Sequence, residues 1–484
     1  MHVPISFRPS AAAIPSRLKL WAGRISLASA AGFVEYGARF GRVFILSRLL
    51  APAEFGIAVA ITVFITTAEL AADVGLEKFI MVKPAADARQ ALAAAHAIQI
   101  FRGLLLFALM LVLAGPAVMF FGIPQAVASF KVAALVPLVR SYWHLDLKQR
   151  RRDYDYRAEA LAVTASNIAA LAVAALAAAT ILPDHRVIVL ALLVEVGGYA
   201  AASHFLAHAP MRVIPDRETL RQSLAYGLPL LLNGAALALI SQADRMVVGR
   251  LFGMDILGVY AVILSLAVTP TSLLGKITLD LGISMLARSR DNSRRYLETY
   301  LWLAWFFAFL AFGYAAFIGL TLDVLLPFVF GKAFAVGTDP VILISAIVFL
   351  RILSGGPTVA LLVSGATSRL TLATLMSVFG IAAAAALALV HPVLTSVLAG
   401  VLFGNVLTMV LLQRAVIART QNGIDSLWRC LAVACAGVAI LTTTLWLLPD
   451  PNWTNRGIVA ASGVLPAAIL GWGVVSRWRL REIA

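Results

Sequence analysis

The sequence predicts an all-α membrane protein with about 14 transmembrane helices, arranged as two parallel six-helix lobes plus two C-terminal helices. Composition is the first observation behind this prediction. The 484 residues are 61% hydrophobic and only 13% charged, whereas a soluble domain carries about 25% charged residues. Mean hydropathy is +0.92. A soluble protein of this length still needs a polar shell, so burial in a globular core does not explain these values.

The apolar residues fall in blocks whose length suits a membrane. About 20 apolar residues in a helix cross the hydrocarbon core, and polar, proline or glycine residues separate the blocks. The predicted spans are residues 24–48, 55–80, 91–115, 126–146, 158–182, 187–207, 222–248, 256–287, 298–326, 338–364, 370–390, 393–413, 428–448 and 457–476.

Lysine and arginine supply the second observation. The net charge is +15, but the basic residues lie in short loops between apolar blocks, which does not indicate nucleic-acid binding. With the N-terminus placed in the cytoplasm, 26 Lys and Arg residues fall on the inner side and 5 in the outer loops. Because cytoplasmic loops carry an excess of Lys and Arg, this alternation favours fourteen spans and predicts that both termini are cytoplasmic.

An internal repeat is the third observation. Residues 42–60, RVFILSRLLAPAEFGIAVA, align with residues 244–262, DRMVVGRLFGMDILGVYAV, and the alignment places Gly56 on Gly258. Six predicted spans separate the two segments. An even number preserves direction, so the repeat predicts two parallel lobes related by an axis along the membrane normal.

A second pair of segments extends the repeat. ADVGLEKFI at residues 72–80 aligns with LDLGISMLA at residues 279–287, which matches Asp73 with Asp280. The predicted parts of the chain are a cytoplasmic tail at 1–20, an N-lobe of helices 1–6 at 21–215, a C-lobe of helices 7–12 at 216–420, and helices 13 and 14 with a cytoplasmic tail at 421–484.

The repeated segments carry a family resemblance. SRLLAPAEFGIAVA, ADVGLEKFI and QADRMVVGRLFGMDILGVYAV resemble segments of the polysaccharide transporter (Wzx-type) flippases, of the multidrug/oligosaccharidyl-lipid/polysaccharide exporter superfamily. The resemblance is strongest over residues 20–90 and 220–290. It implies a flippase or exporter in the bacterial inner membrane that moves a polyprenyl-pyrophosphate-linked oligosaccharide to the periplasmic leaflet by alternating access.

The resemblance also implies a biological setting. The transported oligosaccharide would serve the synthesis of O-antigen, exopolysaccharide or capsule. The implied partners are the lipid-linked oligosaccharide, membrane lipids, a polysaccharide polymerase and chain-length machinery, with no nucleic acid.

Charged residues inside the predicted spans are the candidate functional residues. A charge at a helix centre costs about 2.5–3.5 kcal/mol on insertion scales, so such residues usually face a bundle interior or a wet cavity. A guanidinium donates a planar fork that fits phosphate oxygens. The predicted cationic, substrate-binding cavity consists of Arg39, Arg42, Arg102, Arg245, Lys276 and Arg351. The predicted coupling or ion-pair residues are Glu35, Glu69, Asp73 and Asp280.

Ion pairs that hold helices together are the alternative role for several of these charges. Glu35 and Arg39 lie four residues apart and can pair within one helix. Asp73, Asp280 and Asp244 lie near the ends of their spans, where we expect this structural role.

Helix breakers within the spans predict hinges. A proline inside a helix removes a hydrogen bond and kinks it. The candidate hinge residues are Pro229, Pro270, Gly355, Gly356 and Pro357. An ordinary transmembrane proline is the alternative at each site.

Other functions are less consistent with the sequence. The short loops leave no extramembrane domain, and neither a Walker lysine motif nor a GxSxG serine motif occurs, so we expect no enzyme, no cofactor and no metal site. A lipid-linked peptidoglycan precursor flippase would share the spans and the basic cavity. A multidrug or cation antiporter of the same superfamily would instead present carboxylates to its substrate. A membrane polysaccharide polymerase would need a long periplasmic loop, which the sequence lacks.

Overall fold

The structure is a computed structural model that describes residues 14–82, 88–153, 155–290, 292–418, 424–448 and 453–483. The chain is 88% helical, and no strand occurs among the described residues. A membrane interior offers the backbone no hydrogen-bond partners, so a helix, which satisfies its own amide and carbonyl groups, is the expected element. The predicted all-α class is confirmed.

The chain divides into two compact units. The first unit is Met1–Leu50 with Ile61–Ala238, and the second is Ala51–Ala60 with Leu239–Ala484. Helices α2 (Pro52–Ala71) and α10 (Arg217–Ile263) contribute residues to both units. The lobe boundaries expected from the sequence stay a prediction.

The remaining helices belong to one unit each. Those of the first unit are α1 (Ile14–Leu49), α3 (Leu76–Val82), α4 (Ala88–Phe121), α5 (Val127–Ala133), α6 (Leu135–Arg140), α7 (Asp146–Gln149), α8 (Arg157–Thr180) and α9 (Arg186–Leu206). Those of the second unit are α11 (Thr269–Ala287), α12 (Ser293–Phe330), α13 (Thr338–Leu353), α14 (Gly355–Val363), α15 (Thr367–Leu375), α16 (Ser377–Val390), α17 (Leu394–Ile417), α18 (Ile424–Leu447) and α19 (Trp453–Ile483).

Within the described part of the chain, eleven helices or helix runs are long and apolar enough to cross a membrane. They support a multi-pass membrane protein, while the number fourteen stays a prediction. The two counts differ at three places. Helix α1 is outside the eleven, the segment 126–146 is broken into short helices, and Gly234–Ala287 forms a single run.

A glycine and a wide turn interrupt that long run. Gly253, inside α10, has φ +83° and non-helical geometry, a conformation that glycine adopts without steric cost. It separates the two spans predicted at 222–248 and 256–287. Further on, Leu264–Val268 forms a π-helical turn, and Pro270 lies directly after it, in the first turn of α11.

The predicted span 55–80 is not one helix. Helix α2 ends at Ala71, and the next helix, α3, begins at Leu76. Asp73 Oδ1 accepts a hydrogen bond from the backbone amide of Gly75 at 3.0 Å, and Gly75 has φ +62°. The Asp side chain replaces a helical partner and the glycine takes a left-handed conformation, which together end the helix.

The predicted span 126–146 is also broken. The structure has a 3₁₀ turn at Pro124–Ala126, then α5 and α6, with the interruption at Ala134. Pro137 lacks the amide hydrogen that would bond to the carbonyl of Ala133, and its ring crowds that turn. Pro137 therefore fits the start of a new helix better than the middle of a continuous one.

Two glycines matched by the repeat pack together within the second unit. A Cβ on Gly56 of α2 would lie 1.9 Å from the carbonyl oxygen of Met254, and a Cβ on Gly258 of α10 would lie 2.7 Å from that of Pro52. Small residues let two helix backbones approach closely in this way. The repeat thus preserves a packing requirement.

We predict that Gly56→Ala destabilises the protein, because the new methyl group displaces the α10 backbone. Overpacking of this kind costs about 1–3 kcal/mol. Thermal unfolding of the purified chain in detergent measures the effect. Gly313→Ala in α12 is the control, since nothing lies within 4 Å of its added Cβ, and it should preserve or raise the unfolding temperature. Equal effects of the two changes would contradict the close contact.

Candidate functional site

A cavity of about 380 Å³ lies in the second unit, among helices α11 to α14. Lys276 of α11 and Arg351 of α13 line it, and both side chains are exposed to it. Hydroxyl groups line the same space, from Thr271, Ser272, Thr278, Ser354 and Thr358. We call it the second-unit cavity.

The two cations of the second-unit cavity form no salt bridge with a described residue. Among the described residues, no Asp or Glu oxygen lies within 4 Å of Lys276 or Arg351. Asp244 is bound elsewhere: it accepts a hydrogen bond from the buried Tyr260 hydroxyl at 2.8 Å and another from the Arg245 amide at 2.8 Å. Asp244 also interacts electrostatically with Arg351, so the ion-pair role expected for it stays a prediction. The cavity keeps its positive charge and suits an anion.

The glycine-proline segment forms a tight junction at the edge of this cavity. Helix α13 ends at Leu353 and α14 begins at Gly355. A Cβ on Gly355 would lie 2.3 Å from the ring of Phe307 in α12, so only glycine fits. Gly356 and Pro357 are buried in the first turn of α14. The break is present where hinges were predicted, and their hinge role stays a prediction.

Other predicted site residues of the second half do not line the cavity. Arg245 donates hydrogen bonds of 2.9 Å to the Ser241 carbonyl and to the Gln242 side chain and does not line the cavity. Asp280 is exposed on α11, without an ion pair among the described residues. Pro229 lies in α10, but its side chain is outside the described residues.

In the first unit, the predicted cations of α1 are paired. Arg42 and Glu195 of α9 form a buried ion pair at 2.5 Å, with side chains 6% and 8% exposed. Arg39 lies 3.5 Å from Glu195 and 2.8 Å from Glu35, and this second pair is the one expected from the spacing in the helix. As anion ligands, Arg39 and Arg42 would have to leave these carboxylates, and that role stays a prediction.

Two carboxylates at and just after the end of α2, those of Glu69 and Asp73, are paired as well. Glu69 accepts a hydrogen bond from Arg140 at 2.5 Å, and Asp73 lies 3.6 Å from Arg102. Arg140 was not among the predicted site residues, because it is 71 positions from Glu69 and only the fold brings them together.

A further cluster of charges follows α6 and was missed by the sequence reasoning. Lys148 pairs with the buried Glu159 at 2.8 Å, and Arg151 forms a bidentate pair with the same carboxylate. Hydrogen bonds from Arg150 hold the pKa of the Asp155 carboxyl below its usual range. The only sequence signal for this cluster is the run of basic residues at 148–152, which by itself indicates a charged loop between spans.

We predict that Arg42→Gln lowers both the amount of protein in the membrane and its unfolding temperature. The change leaves Glu195 without its nearest partner, and breaking a buried ion pair costs about 3–5 kcal/mol. Immunoblots of membranes and thermal unfolding in detergent measure the loss. Adding Glu195→Gln should restore most of it, because no buried charge then lacks a partner. A double variant as unstable as Arg42→Gln would contradict the pairing.

Solved structures show which fold this is. The chain is similar to an inward-facing multidrug resistance transporter of the MATE family and MOP superfamily, with a TM-score of 0.64 and 15% identity over 82% of this chain and 96% of that one. It is similar to the lipid II flippase MurJ in an inward closed conformation, with a TM-score of 0.64 and 13% identity over 92% of this chain and 97% of that one. It is also similar to a MATE structure in a bent conformation, with a TM-score of 0.52 and 14% identity over 86% of this chain and 96% of that one.

Sequence comparison gives the family. No curated protein sequence matches the chain. A family profile described as "Polysaccharide biosynthesis protein" matches residues 45–338, which is more than half of the 484 residues. The resemblance noted in the repeated segments is confirmed at this level. The chain belongs to the polysaccharide biosynthesis protein family and has the fold of the MOP-superfamily transporters.

Proposed function

We propose that this chain is a flippase that moves a polyprenyl-pyrophosphate-linked oligosaccharide across the bacterial inner membrane, from the cytoplasmic to the periplasmic leaflet. Alternating access of a central cavity would carry the headgroup while the lipid tail stays in the bilayer. The family and the fold support the coarser class of flippase or exporter. The observation that carries the finer proposal is that Lys276 and Arg351 line the second-unit cavity and form no salt bridge among the described residues.

The charge of the substrate explains why this observation matters. A pyrophosphate that leaves water must find cations, because an unpaired anion in a medium of low dielectric is costly. Arg351 offers a planar guanidinium fork and Lys276 a mobile point charge. Neither cation has to break an existing ion pair first, unlike Arg42 in the first unit.

The direction of transport also follows from charge. A cytoplasm-negative potential favours the outward movement of an anion by about 2.3 kcal/mol per charge per 100 mV. The product would then be available to a polysaccharide polymerase and chain-length machinery on the outer face, for O-antigen, exopolysaccharide or capsule.

The competing substrates differ in charge or in headgroup. Organic cations, the substrates of a multidrug antiporter, would be repelled by Lys276 and Arg351. A lipid-linked peptidoglycan precursor carries the same pyrophosphate, so the cavity charge does not separate it from an oligosaccharide. The family description favours the oligosaccharide.

We predict that the double variant Lys276→Gln/Arg351→Gln lowers export at least tenfold. Charge-assisted hydrogen bonds contribute about 1.5–3 kcal/mol each, and 1.4 kcal/mol corresponds to a factor of ten. In a deletion strain complemented with the variant, lipid-linked repeat units should accumulate on the cytoplasmic face and surface polysaccharide should fall.

Arg369→Gln/Arg414→Gln is the matched control, because it removes two exposed cations of the same unit that lie outside the cavity. This variant should export normally. Normal export by the cavity variant, at wild-type protein levels, would contradict the proposal. Accumulation of peptidoglycan precursors instead of repeat units would assign the other lipid-linked substrate.

A further inference from the structure

A second cavity, of about 350 Å³, lies in the first unit and has different chemistry. Its volume is within the range of small-molecule pockets, about 300–1,000 Å³. Trp143 and Tyr199 form one wall, with ring centroids 4.1 Å apart. The Trp143 indole is fixed by its hydrogen bond to the Val196 carbonyl at 2.9 Å. We call this space the first-unit cavity.

The charges of the first-unit cavity are balanced. Each cation that lines it has a carboxylate within 4 Å. The pairs are Arg102 with Asp73, Arg140 with Glu69, Lys148 with Glu77 and Glu159, and Arg151 with Glu159. An anion would have to displace one of these carboxylates, so this cavity does not suit a pyrophosphate as the second-unit cavity does.

One buried polar atom in its walls has no partner. The Tyr199 hydroxyl forms no hydrogen bond among the described residues, and Tyr199 is only 3% exposed. The neighbouring His144 ring is held in place, because its Nδ1 accepts from the Asp146 amide at 3.2 Å and the Ala209 backbone is a further hydrogen-bond partner of the ring. Buried polar atoms are normally satisfied, so unsatisfied ones at a cavity wall indicate a partner from outside the chain.

We propose that the first-unit cavity is a binding site for a sugar ring. A pyranose has apolar C–H faces, which pack on aromatic rings, and a rim of hydroxyls that both donate and accept hydrogen bonds. The half-buried Trp143 supplies the aromatic surface, while Tyr199, which is 3% exposed and packs against Trp143, supplies its hydroxyl. Donors and acceptors are present together around this surface: the Tyr199 hydroxyl and Arg102 can donate hydrogen bonds, and Asp73 and Glu77 can accept them.

The balanced charge of the first-unit cavity also suits a sugar. A sugar without charged substituents needs no net charge in its site, and a balanced set of acids and bases provides hydrogen bonds without attracting ions. The cavity includes Lys148 and Arg151, so it lies at the end of the first unit predicted to face the cytoplasm. The inference rests on the proposed function only for the source of the sugar, which would be the oligosaccharide of the lipid-linked substrate.

Saturation-transfer difference NMR on the purified full chain in detergent tests the site directly. The probes are free hexoses, deoxyhexoses and N-acetylhexosamines, without lipid or phosphate. At least one class should receive saturation, most strongly at its ring C–H protons. Tyr199→Phe, which removes only the hydroxyl, and Glu77→Gln, which keeps the shape of a half-exposed side chain, should each lower the signal at least threefold. Arg369→Gln should not.

Three results would overturn the inference. They are an absence of saturation transfer to every sugar class, signals that both cavity variants leave unchanged, and displacement of the sugar by millimolar inorganic pyrophosphate, which would make the cavity an anion site. Because the probes carry no lipid and no transport is measured, any of these failures would leave the proposed flippase activity untouched. Conversely, an export assay that contradicts the flippase proposal would not change the NMR result.

Discussion

A charged side chain inside a membrane needs either an opposite charge or a water-filled space, and this constraint explains where the charges of this protein lie. The first unit meets it with carboxylates, as in the buried Arg42–Glu195 pair and the Arg140–Glu69 pair. The second unit also has such a pair, Arg456–Asp323, but at Lys276 and Arg351 it has an open cavity instead. The two solutions give the units different chemistry: one balanced and lined by aromatic rings, the other cationic.

The internal repeat shows how far the two halves have diverged. The glycine contact between α2 and α10 is kept, because no side chain fits where the two backbones meet. The matched residues Asp73 and Asp280 have different local structures. Asp73 and Gly75 end a helix, whereas Asp280 and Gly282 lie inside the continuous helix α11. A shared sequence pattern therefore gives a turn in one half and an uninterrupted helix in the other, where Lys276 reaches its cavity.

Sequence reasoning succeeded where the physics is local. Apolar blocks of membrane-spanning length form helices because the backbone must satisfy itself in lipid, and the Glu35–Arg39 pair follows from helical spacing. It was insufficient where partners are distant in the chain. Neighbouring charges suggested an ion-pair role for Asp244, but they did not reveal its two partners farther along the chain, the phenol of Tyr260, 16 residues away, and the charge of Arg351. The aromatic wall of Trp143 and Tyr199 likewise has no signature in the sequence.

Lys276 and Arg351 of the second-unit cavity are proposed to hold a pyrophosphate. Titration of the purified chain in detergent with undecaprenyl pyrophosphate, followed by native mass spectrometry, tests it without transport or sugar. Lys276→Gln/Arg351→Gln should weaken binding at least tenfold relative to the wild type, while Arg369→Gln/Arg414→Gln, which removes the same charge elsewhere, should bind as the wild type does. Equal binding by the two double variants would contradict the account.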